Sequence, residues 1–288
     1  MVELFRQMGK VQTMSILVIG ASGHVGGSVV AQLSAAGQRV RAASRNPESV
    51  ALPEGAEPVA VDLTAPDSLA PALHGVRRVF TYAVPEAMAD LARAARDAGV
   101  EHVVLLSSVA ADPAVAAGMG PDVDEIVRRH VVSERALTGS GLAWTFLRPG
   151  GFATNAKWWA PSIRGDGVVR MPFPEGQTTP IHEHDMAAVA VRALTEDGHD
   201  GNAYWLTGPE SLSQRAQLDA IADAIGTPIR LEEVSADQAG PEYPPSLVRH
   251  FANAGARPQE VSPVTERLLG RKGLTFARWA VDHADDFR

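Results

Sequence analysis

The chain has 288 residues, 45% of them apolar, which suits one large α/β domain or a nucleotide-binding domain with a smaller lobe. Its net charge of −8, with no basic cluster, argues against nucleic acid and anionic membrane surfaces as partners. It has no cysteine, which excludes disulfides, thiolate metal sites and cysteine nucleophiles, and no apolar run approaches the roughly 20 residues of a membrane-spanning helix.

Residues 1–13 lack the long apolar core of a signal peptide and read as an extension ahead of Met14, so a cytoplasmic location is expected. Ile16–Ile19 reads as a first strand, and a helix follows to about Ala36, where Gly37 ends it. Between them stands Gly20-Ala21-Ser22-Gly23-His24-Val25-Gly26. Strand, glycine-rich turn and helix together put backbone N–H groups and a helix N-terminus against a pyrophosphate. Gly20 allows the tight turn, Gly23 lets a ligand approach the main chain, and Gly26 lets helix and strand pack closely. The expected cofactor contacts of this segment are Gly20, Ser22, Gly23, His24, Val25 and Gly26.

Arg39–Ala43 reads as the second strand and runs into Ser44-Arg45-Asn46-Pro47. An NAD-selective site carries an acid here, for the ribose 2′-OH. This chain has none, and Arg45 is placed to pair with a 2′-phosphate, so NADP(H) is the expected cofactor, with Ser44 beside it. Glu57–Val61 is a third strand; Asp62 and Leu63 after it either meet the adenine or form an ordinary turn. Ser68–His74 reads as a short helix and Arg78–Tyr82 as a fourth strand, with Thr81, Tyr82, Ala83 and Val84 passing along the middle of the cofactor. Met88–Ala98, Asp124–Thr138 and the strands His102–Leu106 and Ala143–Leu147 continue the alternation. Such alternation implies parallel strands with right-handed crossovers, a Rossmann-type doubly wound α/β sheet.

The later part reads differently. Arg148–Phe152 forms a loop, and Lys157–Trp159 with Gly167–Phe173 leaves the sheet. Ile181–Leu194 returns as a turn and helix, and Ala203–Leu206 as a strand. A helix at Gln214–Ile225, a strand near Ile229–Val234, a proline-rich loop at Gly240–Ser246 and a helical end at Val264–Phe287 follow. The expected division is a cofactor domain over 14–155, with 181–206 returning to it, and a smaller C-terminal substrate lobe over 156–180 and 207–288.

Ile19–Gly26, Ser44–Pro47, Leu105–Ser108, Ser140–Phe152 with Asn155, and Pro180–Ala187 make the chain resemble the NmrA-like group of atypical short-chain dehydrogenase/reductases, from Ile16 to near the C-terminus. The resemblance implies a Rossmann fold that usually binds NADP(H), in a group holding both small-molecule reductases and redox-sensing regulators. Catalytic members of the wider superfamily use a Tyr-x-x-x-Lys pair. This chain's three tyrosines, Tyr82, Tyr204 and Tyr243, are followed four residues on by Glu86, Gly208 and Leu247, so it has no such pair. Alignment with the family helix puts His130 at the lysine position and Ile126 at the tyrosine position.

By the same resemblance Ser107 or Ser108 matches the catalytic serine, and Pro149, Gly150, Gly151 and Phe152 approach the nicotinamide. Tyr82 and His130 are further candidate proton carriers, and Ser107 and His130 are also candidate cofactor contacts, His130 through a ribose hydroxyl unless it is a plain helix-surface residue. Val84, Asn155, Lys157, Trp158 and Trp159 are the candidate substrate wall. His182-Glu183-His184-Asp185 has metal-like spacing without a visible third ligand, so it reads as a turn into a helix capped by Asp185, and no metal is expected. Hydride transfer to a quinone-like or other conjugated acceptor needs positioning more than a general acid. The expected activity is therefore NADP(H)-dependent reduction of a bulky, partly aromatic small molecule. The alternatives are a non-catalytic NADP(H) sensor, or a lyase, isomerase or cyclase on the same fold. A monomer or a symmetric dimer suits this size.

Overall fold

A computed structural model describes residues 15–118, 125–240, 243 and 245–288. The expected N-terminal extension, the start of a helix at Asp124, and Pro241, Glu242 and Pro244 of the proline-rich loop lie outside the described residues.

In chain order the elements are β1 (Ser15–Ile19), α1 (His24–Ala35), β2 (Arg39–Ser44), β3 (Glu57–Ala60), α2 (Leu69–Leu73), β4 (Arg78–Tyr82), α3 (Pro85–Asp97) and β5 (His102–Leu106). Then come α4 (Pro113–Gly118), α5 (Glu125–Thr138), β6 (Ala143–Pro149), α6 (Ala160–Gly165), β7 (Val168–Met171), β8 (Gln177–Thr178), α7 (Glu183–Thr195) and β9 (Asn202–Leu206). The chain ends with β10 (Leu212–Ser213), α8 (Gln214–Ile225), β11 (Arg230–Glu233), α9 (Pro245–Ala254), α10 (Val264–Leu269) and α11 (Phe276–Asp282).

The main sheet has seven strands in the order β3-β2-β1-β4-β5-β6-β9, and β1 pairs in parallel with both β2 and β4. The order reverses between β1 and β4, and open α/β sheets bind ligands outside the carboxyl ends of strands at such a point. β1 and β5 are buried along almost their whole length, as suits strands covered on both faces. The helices on the sheet show why. In α3, Ala87, Met88, Leu91, Ala92 and Ala95 fall on one stripe and are buried, and Met88 and Leu91 each contribute about 1.5–3 kcal/mol.

The chain divides into two compact units. Of the described residues the first comprises 15–107, 128–146 and 190–203; its core packs Leu17, Val79, Met88, Leu91 and Phe146. The second comprises the described residues within 108–127, 147–189 and 204–288; its core packs Trp159, Val169, Ile221, Phe276, Trp279 and Phe287. Within the second unit β7 pairs in parallel with β11, and β8 antiparallel with β10.

Several boundaries move from the expected ones, mostly at prolines. α3 starts at Pro85 instead of Met88, because proline lacks only an N–H that the first helical turn leaves unpaired anyway. The same property starts α4 at Pro113 and α9 at Pro245, two helices the proline-rich sequence hides. The expected loop at Gly240–Ser246 thus gives way to helix at Pro245. β6 continues through Arg148 and Pro149, since proline is tolerated at a strand end. The expected helical end is broken: Gly270, at φ +66°, closes α10 before α11 begins.

Candidate active site

In the first unit, β1 delivers the chain into a turn that only glycine can make. Gly20 has φ +89°, and a Cβ on Gly26 would lie 2.1 Å from the Gly20 carbonyl oxygen. Gly23 is the N-cap of α1 and offers no side-chain cap, so the helix N-terminus is left for a ligand. A pocket of about 280 Å3 opens here, lined by Ala21–His24 and Gly27 and by Ser49, Val50 and Ala51. Ser22, Gly23 and His24 are exposed, whereas the Val25 side chain is buried. Gly27 and Ser49–Ala51 extend the expected set. The first was visible as the Gly26-Gly27 doublet; the second carried no signal, being brought in by the turn after β2.

The residues around this turn fit a dinucleotide. Ser44 is buried at the end of β2, and its Oγ lacks a partner among the described residues. Arg45 beside it is exposed. Asp62 is held below the usual carboxylate range, first by hydrogen bonds from Thr64 and in part by the Arg45 charge. The Thr64 N–H and hydroxyl both donate to Asp62 Oδ1, at 2.9 and 2.8 Å, while Leu63 is part of the core. Of the two readings of this pair, the geometry displays the turn. Tyr82 is 42% exposed, and its ring lies 3.0 Å from where a Gly20 Cβ would stand. Thr81 and Ala83 are buried, and Val84 is the N-cap of α3, packed against the core.

His130 and Ser107 differ from their expected roles. Burial, with Arg129 nearby, lowers the His130 pKa to about 4, so the imidazole is neutral at pH 7 and supplies none of a lysine's charge. Its buried Nδ1 lacks a partner among the described residues, leaving it able to meet a ligand hydroxyl but poorly suited to shuttle protons at neutral pH. Ser107 is 1% exposed and donates its hydroxyl to Glu134 Oε1 at 2.6 Å, so its proton is committed inside the unit. Glu134 escaped the sequence reading; the available signal was an acid one helical turn after His130 on an otherwise apolar face.

The second unit holds a cavity of about 530 Å3. Ser108, Gly150, Gly151, Phe152, Asn155, Trp158 and Trp159 line it, as does Ile126, whereas Pro149 does not. Trp205, Tyr243 and Phe251 add to the aromatic wall. One face is fixed by a buried relay: Trp159 Nε1 donates to the Tyr243 hydroxyl at 2.9 Å, which donates to Gln214 Oε1 at 3.2 Å. Gln214 Nε2 in turn donates to the carbonyls of Pro172 and Phe173 at 2.8 and 3.0 Å. Phe173 takes φ +54°, a strained conformation for an aromatic residue, and its carbonyl also accepts from Gly176 N–H. Lys157 faces elsewhere: its Nζ pairs with Asp286 at 2.8 Å, so it is no part of the cavity wall.

The His182–Asp185 segment is an anchor for the C-terminal helices. α7 starts at Glu183, ahead of Asp185, and His182 Nδ1 accepts from the His184 N–H at 3.2 Å in the capping position. Asp185, buried inside the first turn, instead receives Arg271 and the Leu274 N–H, each at 2.6 Å. His182, His184 and Asp282 bring potential metal-ligand atoms within 4.8 Å of one another, Asp282 being a third potential ligand that sequence spacing could not reveal. Both Asp282 oxygens, however, are taken by Arg278, at 2.9 and 2.8 Å, and the capping bond takes His182 Nδ1. Glu183 receives His283 Nε2 at 2.5 Å. Burial opposes the Glu183 charge, but His182 and His283 hold its carboxyl well below the usual range. Burial likewise opposes the His283 charge, but Glu183 and Asp286 raise its pKa.

Comparison with known proteins agrees with this geometry. The NAD(P)H-binding family matches residues 20–197. The chain is 37% identical over 286 residues to (4-alkanoyl-5-oxo-2,5-dihydrofuran-3-yl)methyl phosphate reductase of Streptomyces griseus, covering 94% of this chain and 99% of that one. It is 36% identical over 291 residues to an NAD(P)H azoreductase of Xenophilus azovorans, with the same coverage. Its fold is similar to that of the transcriptional regulator NmrA solved with NADP, at a TM-score of 0.72 and 20% identity, covering 94% of this chain and 95% of that one. Among the described residues no helix is long and apolar enough to cross a membrane. The glycine turn on a reversed parallel sheet, and relatives alike over nearly their whole length, make the chain a member of the NAD(P)H-binding family, related to the NmrA-like short-chain dehydrogenase/reductases.

Proposed function

We propose that the chain is an NADPH-dependent reductase of conjugated, largely aromatic small molecules, with the substrate taken by the cavity of the second unit. The observation that carries this reading is the cavity itself: an aromatic-walled space of about 530 Å3, large enough for a multi-ring acceptor. The azoreductase and furanone reductase relatives supply the reaction class by analogy. Gly20, Gly23 and the open N-terminus of α1 would hold the pyrophosphate, Arg45 the 2′-phosphate, and Ser44 and His130 the sugar hydroxyls. The bound dinucleotide supplies a hydride, and a proton from solvent completes a two-electron reduction of the acceptor.

The chain's own residues orient the acceptor and exclude water. With His130 neutral and the Ser107 proton held by Glu134, neither is a ready acid; Ser108 lines the cavity and its hydroxyl accepts from the Ala110 N–H, which leaves its proton to donate toward an acceptor. Lacking the tyrosine–lysine pair, the protein suits acceptors that are reduced without strong acid catalysis, such as quinones and azo compounds, better than simple ketones.

The test pairs binding with turnover. Calorimetry should give tighter binding for NADPH than for NADH, and Arg45→Ala should weaken NADPH by about 10- to 100-fold, the loss of one charge-assisted contact, while barely changing NADH. NADPH oxidation should then follow addition of a naphthoquinone or an azo dye. Binding without turnover of either would favour the sensor reading, which the NADP-bound regulator of the same fold keeps in view. Equal losses for both cofactors in Arg45→Ala would remove the 2′-phosphate assignment.

A further inference from the structure

We propose that the cavity of the second unit selects its substrate by charge: neutral and cationic conjugated molecules are accepted, phosphomonoesters and other anions are rejected, and Glu260 sets the sign. The inference rests on the reductase reading only for the reaction used to measure it. Among the described residues lining the cavity there is no lysine and no arginine, and Glu260 is the one with a formal charge at neutral pH. His250 also lines it, with desolvation holding its pKa below the ordinary value, so it brings no positive charge at pH 7. Arg249 and Arg257, neighbours of lining residues in the chain, are exposed and stand outside the lining.

An anion can be held without a cation if a helix offers free N–H groups. α8 begins at the cavity, with Gln214 and Gln217 in its wall, but its first three N–H groups are already used. Gln214 N–H donates to the Gly176 carbonyl at 3.1 Å, Arg215 N–H to Pro174 at 2.9 Å, and Ala216 N–H to the Ser213 hydroxyl at 3.1 Å. A phosphate dianion brought here would lose its hydration and gain no counter-charge, a cost of several kcal/mol in an apolar site. A cation meets the reverse case. Trp158, Trp159 and Trp205, whose rings can attract a cation, line the cavity together with Glu260, whose carboxylate favours one. The furanone reductase relative is named for a phosphate-bearing substrate; on these grounds this chain's substrate carries none.

The test uses three naphthoquinones on the full chain, alike except for one substituent: none, a sulfonate, or a trimethylammonium group. The kcat/KM of the anion should fall at least about 20-fold below that of the neutral compound, with the cation equal to or above it. Glu260→Gln should narrow the cation-to-anion ratio by about 5- to 10-fold. An anion turned over within about twofold of the neutral quinone would overturn the proposal, as would a ratio unmoved by Glu260→Gln. If none of the three oxidises NADPH, the reductase reading fails, and calorimetry of the same compounds with the NADP+-loaded protein reads the charge selection directly. Binding of the neutral and cationic compounds without the anion supports it; equal binding of all three, or none, overturns it.

Discussion

In the first unit the proposed pyrophosphate site is made of main chain: the turn at Gly20–Gly26 and the start of α1, which has no side-chain cap. In the second unit the cavity is lined by side chains gathered from segments far apart in sequence, such as Trp159, Trp205, Gln214 and Tyr243. The two solutions suit two tasks. A pyrophosphate is the same in every dinucleotide, and backbone N–H groups recognise it without dependence on side-chain identity. A substrate varies between relatives, and a wall of replaceable side chains on a fixed scaffold can vary with it. The relay from Trp159 through Tyr243 to Gln214 adds rigidity to that wall, since each buried polar atom in it is satisfied by the next.

The comparison breaks most severely if the glycine turn tolerates a side chain. Gly26→Ala places a methyl carbon 2.1 Å from the Gly20 carbonyl oxygen, so either the turn or α1 must move. NADPH affinity should fall by about 100-fold or more, equivalent to roughly 2.8 kcal/mol, with a lower Tm. Calorimetric titration with thermal unfolding checks both. An unchanged NADPH affinity in a folded variant would mean that the main-chain cradle is not the cofactor site.

The same contrast explains what sequence could show. The cradle lies within one short segment, and each of its glycines has a local reason to be glycine, so Gly20, Gly23 and Gly26 were readable. The sheet was readable too, because buried parallel strands such as Val103–Leu105 leave continuous apolar runs. Partnerships across long separations were not. Nothing near Ser107 announces Glu134, nothing near Lys157 announces Asp286, and Trp159 and Tyr243 meet across 84 positions. Helices starting at proline were hidden because the residue that begins them also signals a loop.

A smaller effect tests the side-chain half. Tyr243→Phe keeps the ring but strands Trp159 Nε1 and Gln214 Oε1 as buried, unpaired groups. The cost is about 1 kcal/mol in how well the wall is held, so KM for the acceptor should rise about fivefold. NADPH binding, proposed for the other unit, should stay the same. A parallel loss of NADPH affinity would show that the two surfaces are energetically one.

The smallest effect concerns pH, and it separates the units again. His283 has a raised pKa in the folded chain, so its stabilising charge is fully present below its ordinary value of 6.5 and is lost as pH rises through the raised value. Glu183 has a depressed pKa, so its contribution is present above its ordinary 4.5 and lost only as pH falls through the lowered value. The pair therefore supports the second unit best between these ordinary values and weakens on the alkaline side. His283→Gln keeps a hydrogen-bond donor toward Glu183 and removes the titration. The partial exposure of His283 screens the pair, so the expected difference is about 2 °C in Tm: wild type should exceed the variant at pH 5.5 by that margin and lose most of it by pH 8.5. His130 of the first unit is not such a switch, because it titrates near 4, below this range. NADPH affinity should accordingly show the same pH profile in wild type and His283→Gln. A Tm difference that is flat from pH 5.5 to 8.5 would show that the His283–Glu183 contact acts as a neutral hydrogen bond, not as an ion pair.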